Sequence, residues 1–282
     1  MTVDLHTHST ASDGSVRPSA LVEMAAERGL SAIALTDHDT LEGLPEARET
    51  ASALGVEVIP GTELSLEFEG GAMHLVVLWL EPGEGALQSR LGSLQAGRAV
   101  RNSAIVDLLN SHGMAMTIEE VEEEAGAGSV GRPHIAAVML RRGYVASINE
   151  AFDLWLGSGC PAYVGRPRLG PEEAIGLARQ QGAVPVLAHP HTLGINTAPE
   201  MAAQLRRLHD AGLVGLEALC AGYRRHEREG YGYLARRFDL IPSGGSDYHG
   251  SYKPGLELGT GYGDLHVGEA VLEELRAHSG RA

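Results

Sequence analysis

Cysteine is nearly absent: Cys160 and Cys220 are the only two in 282 residues, far apart and outside any CxxC spacing. A disulfide framework and a thiolate zinc knuckle are both excluded, and a reducing compartment is expected. Lysine is scarcer still, with Lys253 the single example, so arginine is the group available to grip phosphate. Basic charge as a whole is in deficit, 22 residues against 37 acidic ones, for a formal charge of -15. That argues against long duplex DNA or RNA held by phosphate neutralisation and leaves room for a short or terminal polyanion. No apolar run approaches the roughly 18 residues of a membrane span, and the opening MTVDLHTHS has neither the basic region nor the apolar stretch of a signal peptide. The expectation is a cytoplasmic protein with no membrane partner.

What the chain has in quantity is histidine. Thirteen stand against three phenylalanines and two tryptophans, and imidazole serves both proton transfer and metal binding near neutral pH. Hydrophobic residues make up 43% of the chain, enough for one large core or two modest ones.

Short apolar runs alternate with helical patterns from the start. Val3 to Leu5, Ala32 to Leu35 and Val56 to Ile59 read as strands. Between them lie helices at Pro18 to Arg28, with Ser15 as its cap, and at Leu44 to Leu54, closed by Gly55. This βαβαβ order favours a parallel sheet or barrel. Glu63 to Phe68 and Met73 to Leu80 read as a hairpin or strand extension across Glu69-Gly70-Gly71. From Ala86 to Gly159 the pattern is helical only, including a helix start at Thr117 and helices at Pro133 to Arg142 and Ile148 to Leu156. Alternation then resumes. Strands are expected at Val184 to Ala188, Val214 to Leu219 and Leu240 to Ser243, and helices at Pro171 to Gln180, Glu200 to Ala211, Tyr223 to Phe238 and Val267 to His278. The division expected is a barrel segment over 1–88, a helical insertion or lid over 89–164, and the rest of the barrel over 165–282.

Metal-capable residues recur where these strands end. The first runs into His6 and His8 in DLHTHS, with Asp13 following in SDG; the second runs into Asp37-His38-Asp39. Glu63 follows the third, His74 opens the next, and later strands deliver His189 in AHP and Asp247 and His249 in SDYH. In a β/α barrel the strand C-termini share one mouth, so residues distant in sequence converge there. His6 and His8, two apart on an extended segment, point the same way. A nitrogen- and oxygen-rich set without thiolate suits Zn²⁺, Mn²⁺ or Fe²⁺ in a catalytic role.

Plainer readings exist for single residues. His38 and Asp39 could serve a turn or a helix cap, Asp39 alternatively standing behind a ligand, and His74 alone could be a core histidine. His134 in GRPHIA could cap its helix or, beside Arg132, bind phosphate. His191 could be a surface residue.

The motif order DLHTHS, SDG, TDHDT, GTE, AHP and GSDYH, spanning most of 1–88 and 165–265, resembles the PHP (polymerase and histidinol phosphatase) metallophosphoesterases. That resemblance implies a distorted (β/α)7 TIM-like barrel with two or three divalent metal ions. His6, His8, Glu63 and Asp247 would hold one ion, Glu63, His74 and His189 a second, and Asp13, His38 and His249 a third. The insert, with GRPHIA and the following Arg142-Gly143-Tyr144, is similar to the subgroup of nucleoside 3',5'-bisphosphate phosphatases and 5'→3' exoribonucleases. Many histidinol phosphatases have histidine where this chain has Asp13, which favours the nucleotide-acting group.

The expected function is therefore metal-dependent hydrolysis of nucleotide phosphate esters, with a 3',5'-bisphosphate or a short 5'-phosphorylated RNA as the small phosphorylated partner and an ion-activated water as nucleophile. Arg17, Arg132, His134 and Arg168, with Arg166, are candidates to hold a terminal phosphate. His249 or Asp37 are candidates to protonate the leaving oxygen. A histidinol-phosphate-type phosphatase and an amidohydrolase are the alternatives. Many enzymes of the second kind bridge their metals with a carboxylated mid-barrel lysine, a place that Lys253, after Asp247, does not occupy.

Overall fold

A computed structural model describes residues 1–126 and 129–280. Strands β1 (Thr2–Thr7), β2 (Leu30–Leu35) and β3 (Glu57–Leu66) alternate with helices α1 (Pro18–Glu27) and α2 (Leu44–Leu54). After β4 (Met73–Leu78) come α3 (Ala86–Ser111), α4 (Ile118–Ala125), α5 (Arg132–Arg141) and α6 (Ile148–Ala151), the last continued by a π-turn over Phe152–Leu156. The remainder is α7 (Pro171–Gln180), β5 (Val184–Ala188), α8 (Ala198–Asp210), β6 (Gly215–Cys220), α9 (Arg225–Arg237), β7 (Ile241–Gly245), β8 (Val267–Gly268) and α10 (Glu269–Arg276).

The strands form one sheet in the order β7-β6-β5-β4-β3-β2-β1-β8. Backbone bonds from Asp247 N to His6 O and from His8 N to Tyr248 O, both 2.9 Å, draw the end of β7 onto β1 and nearly close the barrel. The expected alternation of strands and helices is present, with a distortion: β4 runs antiparallel to both β3 and β5. A hairpin return can only be antiparallel, so β4 breaks the parallel order.

Three expected elements differ. Val56 to Ile59 and Glu63 to Phe68 are not two strands but parts of one, because Gly61 and Thr62 stay extended and pair with β4. Val267 begins no helix; it pairs with Val3 in β8, and α10 starts at Glu269. Ser15 does not cap α1. Arg17 occupies that position without a side-chain bond, Pro18 starts the helix, and Ser15 Oγ accepts from Ser251 N at 2.7 Å. The start at Thr117 forms as expected, since Thr117 and Glu120 bond each other's backbone N–H groups in a reciprocal cap.

Apolar packing falls into three clusters. One joins a face of the sheet, with Ile33, Leu64, Leu75 and Leu187, to Leu21, Val22 and other helix residues. A second, of small and β-branched residues such as Ala32, Ala34, Ile59, Val76 and Val186, is met by Leu272 and Leu275 of α10. Side chains alternate along a strand, so the face that carries Ile59 and Val76 also carries Glu63 and His74. The third cluster belongs to the insert and includes Ile105, Leu109, Val121, Ile135, Met139 and Leu156. Helix α3 spans the two regions: Leu87, Leu91 and Leu94 pack with the barrel, while Ile105 and Leu109 pack within the insert.

Candidate metal centre

Glu63 is the hub of the barrel mouth. It is 1% exposed and continues β3 beside the TDHDT segment, where Glu63 N donates to Thr36 O at 2.9 Å and Asp39 N donates to Glu63 O at 3.1 Å. This continuation of the strand ladder sets His38 next to it. Glu63 Oε1 lies 2.9 Å from both His74 Nδ1 and His189 Nε2. Its Oε2 lies 3.3 Å from His6 Nε2, 3.2 Å from His8 Nε2 and 3.3 Å from His38 Nε2.

Asp247 and Asp13 flank this hub. Asp247 Oδ1 is 3.6 Å from His6 Nε2 and 3.4 Å from His8 Nε2. Asp13 Oδ1 is 3.4 Å from His249 Nε2 and 3.6 Å from His8 Nδ1, and Asp13 Oδ2 is 3.8 Å from His38 Nε2. Three sets of donor atoms are close enough to share an ion: His6, His8, Glu63 and Asp247; His38, Glu63 and His74; and His8, Asp13, His38 and His249. Strain collects here too. Asp39, His189 and Asp247 are three of the five non-glycine residues with positive φ among the described residues, a backbone region costly for most side chains.

Hydrogen bonds at the far side of the imidazoles test whether a metal fits. His6 Nδ1 is 2.8 Å from Glu217 Oε1, His38 Nδ1 3.3 Å from Glu63 O, and His249 Nδ1 2.9 Å from Asp247 O. Carbonyl and carboxylate oxygens only accept, so each Nδ1 is the donor and each Nε2 is the ring nitrogen turned into the cluster. His189 follows suit: Thr192 Oγ1 gives its hydrogen to Ala72 O at 2.8 Å and stands 3.2 Å from His189 Nδ1. His6 Nε2 and His8 Nε2 face each other at 3.1 Å, and His8 Nδ1 has no hydrogen-bond partner among the described residues. Converging imidazole nitrogens and carboxylates of this kind fit a divalent metal ion.

Charge in the cluster is divided. Burial opposes protonation of His8, but its hydrogen bonds to Asp247 and Glu63 overcome it and raise His8 to about 9. Burial holds His38 down to about 3. Glu63 and Asp13 are buried and Asp247 half-buried, yet the surrounding imidazoles, and for Asp247 chiefly Lys253, keep all three well below the ordinary carboxylate range. Lys253 Nζ donates to Asp247 Oδ2 and, at 3.2 Å, to Asp247 O.

Nine expected ligand residues thus converge: His6, His8, Asp13, His38, Glu63, His74, His189, Asp247 and His249. Other candidates are placed elsewhere. Asp37 does not reach the cavity, because its carboxylate accepts from Ser9 N at 2.8 Å and from Ser9 Oγ and Ser12 Oγ at 2.7 Å each. It holds the loop that carries Asp13. Arg17 does not line the cavity over the cluster. Its side chain is 74% exposed and pairs with Glu46 at 3.3 Å, which the short Arg17-Pro18 helix entry makes the nearest partner. His134 takes the capping alternative, accepting from Gly131 N at 2.9 Å, with its ring edge against Tyr252. His191 is an exposed residue, as the surface alternative has it, with its Nδ1 2.9 Å from Tyr223 Oη.

Arg132, Arg166 and Arg168 belong to a cluster of guanidiniums with Arg98 and Arg101 that adjoins Asp13. Among the described residues the one carboxylate hydrogen-bonded to this group is Asp39, whose Oδ2 accepts from Arg98 Nε and Arg166 Nη2 at 2.7 Å each. Arg166 Nη1 and Arg168 Nε are buried without a partner among the described residues. Among the described residues Arg101 finds only Asn102, at 2.7 and 3.1 Å. Burial, then Arg98, Arg132 and Arg166, press its proton affinity down to about 8. A guanidinium keeps its proton at neutral pH, so the cluster's unmet charge favours an anion.

Glu217, Asp4 and Arg98 were not singled out from the sequence. Glu217 sits mid-strand in an apolar run, which was the one available signal. Asp4 accepts from Ser246 N and Gly259 N at 2.8 Å each and so holds the approach to Asp247.

A cavity of about 360 Å³ opens over the cluster, with Glu63, His74, His189 and His249 in its walls. Imidazole and carboxylate donors at the strand ends of a nearly closed α/β barrel define a metal-dependent hydrolase. The PHP domain model matches residues 4–152. A 5'-3' exoribonuclease of Haemophilus influenzae is 34% identical across 87% of this chain and 89% of its own length. A 3',5'-nucleoside bisphosphate phosphatase of Chromobacterium violaceum is 29% identical across 91% and 90%. The crystal structure of a candidate metal-dependent phosphoesterase from Bifidobacterium adolescentis superposes with a TM-score of 0.88 at 29% identity, covering 98% of this chain and 96% of that one. The chain belongs to the PHP family.

Proposed function

We propose that this chain is a metal-dependent phosphoesterase acting on nucleotides that carry a second phosphate, a 3',5'-nucleoside bisphosphate or a short 5'-phosphorylated RNA. The observation that carries this is the pairing of two sites: a donor cluster around Glu63, and beside it the guanidiniums of Arg98, Arg101, Arg132, Arg166 and Arg168 with a single bonded carboxylate, Asp39. A substrate with one phosphate uses only the first; a substrate with two satisfies both.

His6, His8, Glu63 and Asp247 would hold one ion, Glu63, His74 and His189 a second, and Asp13, His38 and His249 a third, with Mn²⁺, Fe²⁺ or Zn²⁺ matching the donors. Bound ions of this class activate water and offset charge on phosphoryl oxygens. The protein's own residues do the rest. Glu217, Glu63 O, Asp247 O and Thr192 hold the imidazoles in one tautomer, Asp37 fixes the Asp13 loop, and the arginines orient the phosphate that is not cleaved. His249 serves as ligand rather than acid, since its Nδ1–H is committed to Asp247 O. Glu63 belongs to two of the donor sets and would take the place that a carboxylated lysine has in many amidohydrolases.

No helix among the described residues is long and apolar enough to cross a membrane. Action in the reducing cytoplasm accords with Cys160 and Cys220 both being free. A substrate panel on metal-reconstituted protein tests the reading: phosphate or mononucleotide release from the bisphosphate or the 5'-phosphorylated RNA is expected. Hydrolysis of histidinol phosphate alone would overturn it.

A further inference from the structure

The cavity has walls that the donor cluster does not supply. Besides the donor residues its lining includes Ala221, Leu256, His191 and Tyr262, with Thr192 and Lys253 among the polar groups. Tyr262 is 59% exposed, one of the few large side chains left open to solvent. An exposed tyrosine alone means little; this one is braced. The turn before it is closed by reciprocal backbone bonds between Glu257 and Gly261, at 2.7 and 2.8 Å. Gly261, at φ +59°, lies so near Ala221 that a Cβ there would stand 2.9 Å from the alanine methyl. On the other side Arg228 donates to Asp264 O at 2.7 Å, Asp264 Oδ1 at 2.9 Å and Cys220 O at 3.3 Å, tying the loop to the end of β6. The ring of Tyr262 rests beside Gly222, where a Cβ would be 3.7 Å from Cε2. His191 is held by Tyr223, which stacks on Tyr231.

The two recognition surfaces therefore border different parts of the donor cluster. The arginines adjoin Asp13 and Asp39; the aromatic and apolar wall adjoins His189 and Asp247. We propose that Tyr262, with Ala221 and Leu256, is the subsite for the base of the nucleotide on the 3' side of the scissile phosphate, which makes a short 5'-phosphorylated oligonucleotide the preferred substrate class. The proposal rests on the nucleotide reading above. With the terminal 5'-phosphate on the arginines, the next phosphate in the chain reaches the metal centre and the following base reaches the tyrosine. Water adds to that phosphorus and the bond from phosphorus to the upstream O3' breaks. The water's proton is balanced by the one taken up at O3', so a mononucleotide with a free 3'-hydroxyl leaves and the remaining chain keeps a 5'-phosphate. A 3',5'-bisphosphate uses the same two phosphate positions and leaves the tyrosine unoccupied.

The test compares a 5'-phosphorylated dinucleotide with a 3',5'-nucleoside bisphosphate on metal-loaded wild type, Tyr262→Ala and Tyr262→Phe. Loss of base stacking in Y262A should lower the ratio of kcat/KM for the dinucleotide over the bisphosphate about tenfold, and Y262F should keep the wild-type ratio. A dinucleotide whose second sugar lacks a base should lower the wild-type ratio by the same factor and affect Y262A little further. An unchanged ratio in Y262A overturns the proposal. So does wild type that cleaves the bisphosphate but not the dinucleotide, a result that leaves the nucleotide reading standing. Wild type that cleaves neither overturns both.

Discussion

Glu217 Oε1 lies 2.8 Å from His6 Nδ1, and both residues are almost completely buried. The other carboxylate oxygen accepts from His189 N at 2.7 Å. One side chain from β6 thus orients two proposed ligands that stand far apart in the sequence. A carboxylate behind a ligating imidazole fixes its tautomer and raises its basicity.

Glu217→Gln keeps the shape and removes the charge. Metal affinity should fall about 10- to 100-fold, read by titration with Mn²⁺ or Zn²⁺ and by elemental analysis of the protein as isolated. Equal affinity in wild type and variant would reduce the pair to packing.

His8 and Asp247 each contribute to the cluster through atoms 3.4 Å apart. His8→Ala or Asp247→Ala should abolish phosphoester turnover and lower bound metal, while far-ultraviolet circular dichroism stays that of the wild type. An unchanged rate in either variant contradicts the ligand assignment.

Metal loading should release protons at pH 7. His8 is raised from 6.5 to about 9, burial opposing the shift and the hydrogen bonds to Asp247 and Glu63 producing it. In metal-free protein its charged form therefore contributes stability that is complete below the unfolded value of 6.5 and lost as pH rises through about 9. A ligating imidazole must be neutral, so the ion displaces that proton. His38, held down to about 3, has none to give. Calorimetric titrations in buffers of different ionisation enthalpy measure the count, and a count of zero refutes the shift.

Sulfate or phosphate should raise the Tm of the metal-free protein by occupying the arginine cluster. Asp39→Asn leaves Arg98 and Arg166 without their carboxylate and should cost about 3–5 kcal/mol, part of it recovered on adding the anion. Thermal unfolding at constant ionic strength, with chloride as the control, separates specific binding from screening. Equal Tm values in chloride and sulfate would mean that the cluster has no anion preference.

Much of the site was legible because short-range constraints write themselves into neighbouring residues. His6 and His8 must share a face two residues apart, and His38, His189 and His249 must stand just past strands, so each leaves a compact motif. Elements whose pairing is decided at a distance left weaker marks. Gly61 and Thr62 look like a break between strands and become mid-strand only because β4 pairs with them. Val267 reads as the start of a helix and is instead taken by β1.

The sequence by itself determined the kind of chemistry: an imidazole and carboxylate donor set without thiolate, delivered by successive strands of an α/β chain whose basic residues are arginine but for Lys253. Only the tertiary structure decided which residues serve it. Arg17 and Asp37 have the right types in the right motifs, yet Glu46 and the Ser9–Ser12 loop claim them. Glu217, Arg98 and Tyr262 carry no motif and acquire their roles from partners far along the chain. Ligand identity is local because coordination demands particular atoms. Orientation, anion binding and base stacking depend on which surfaces the closing barrel brings face to face.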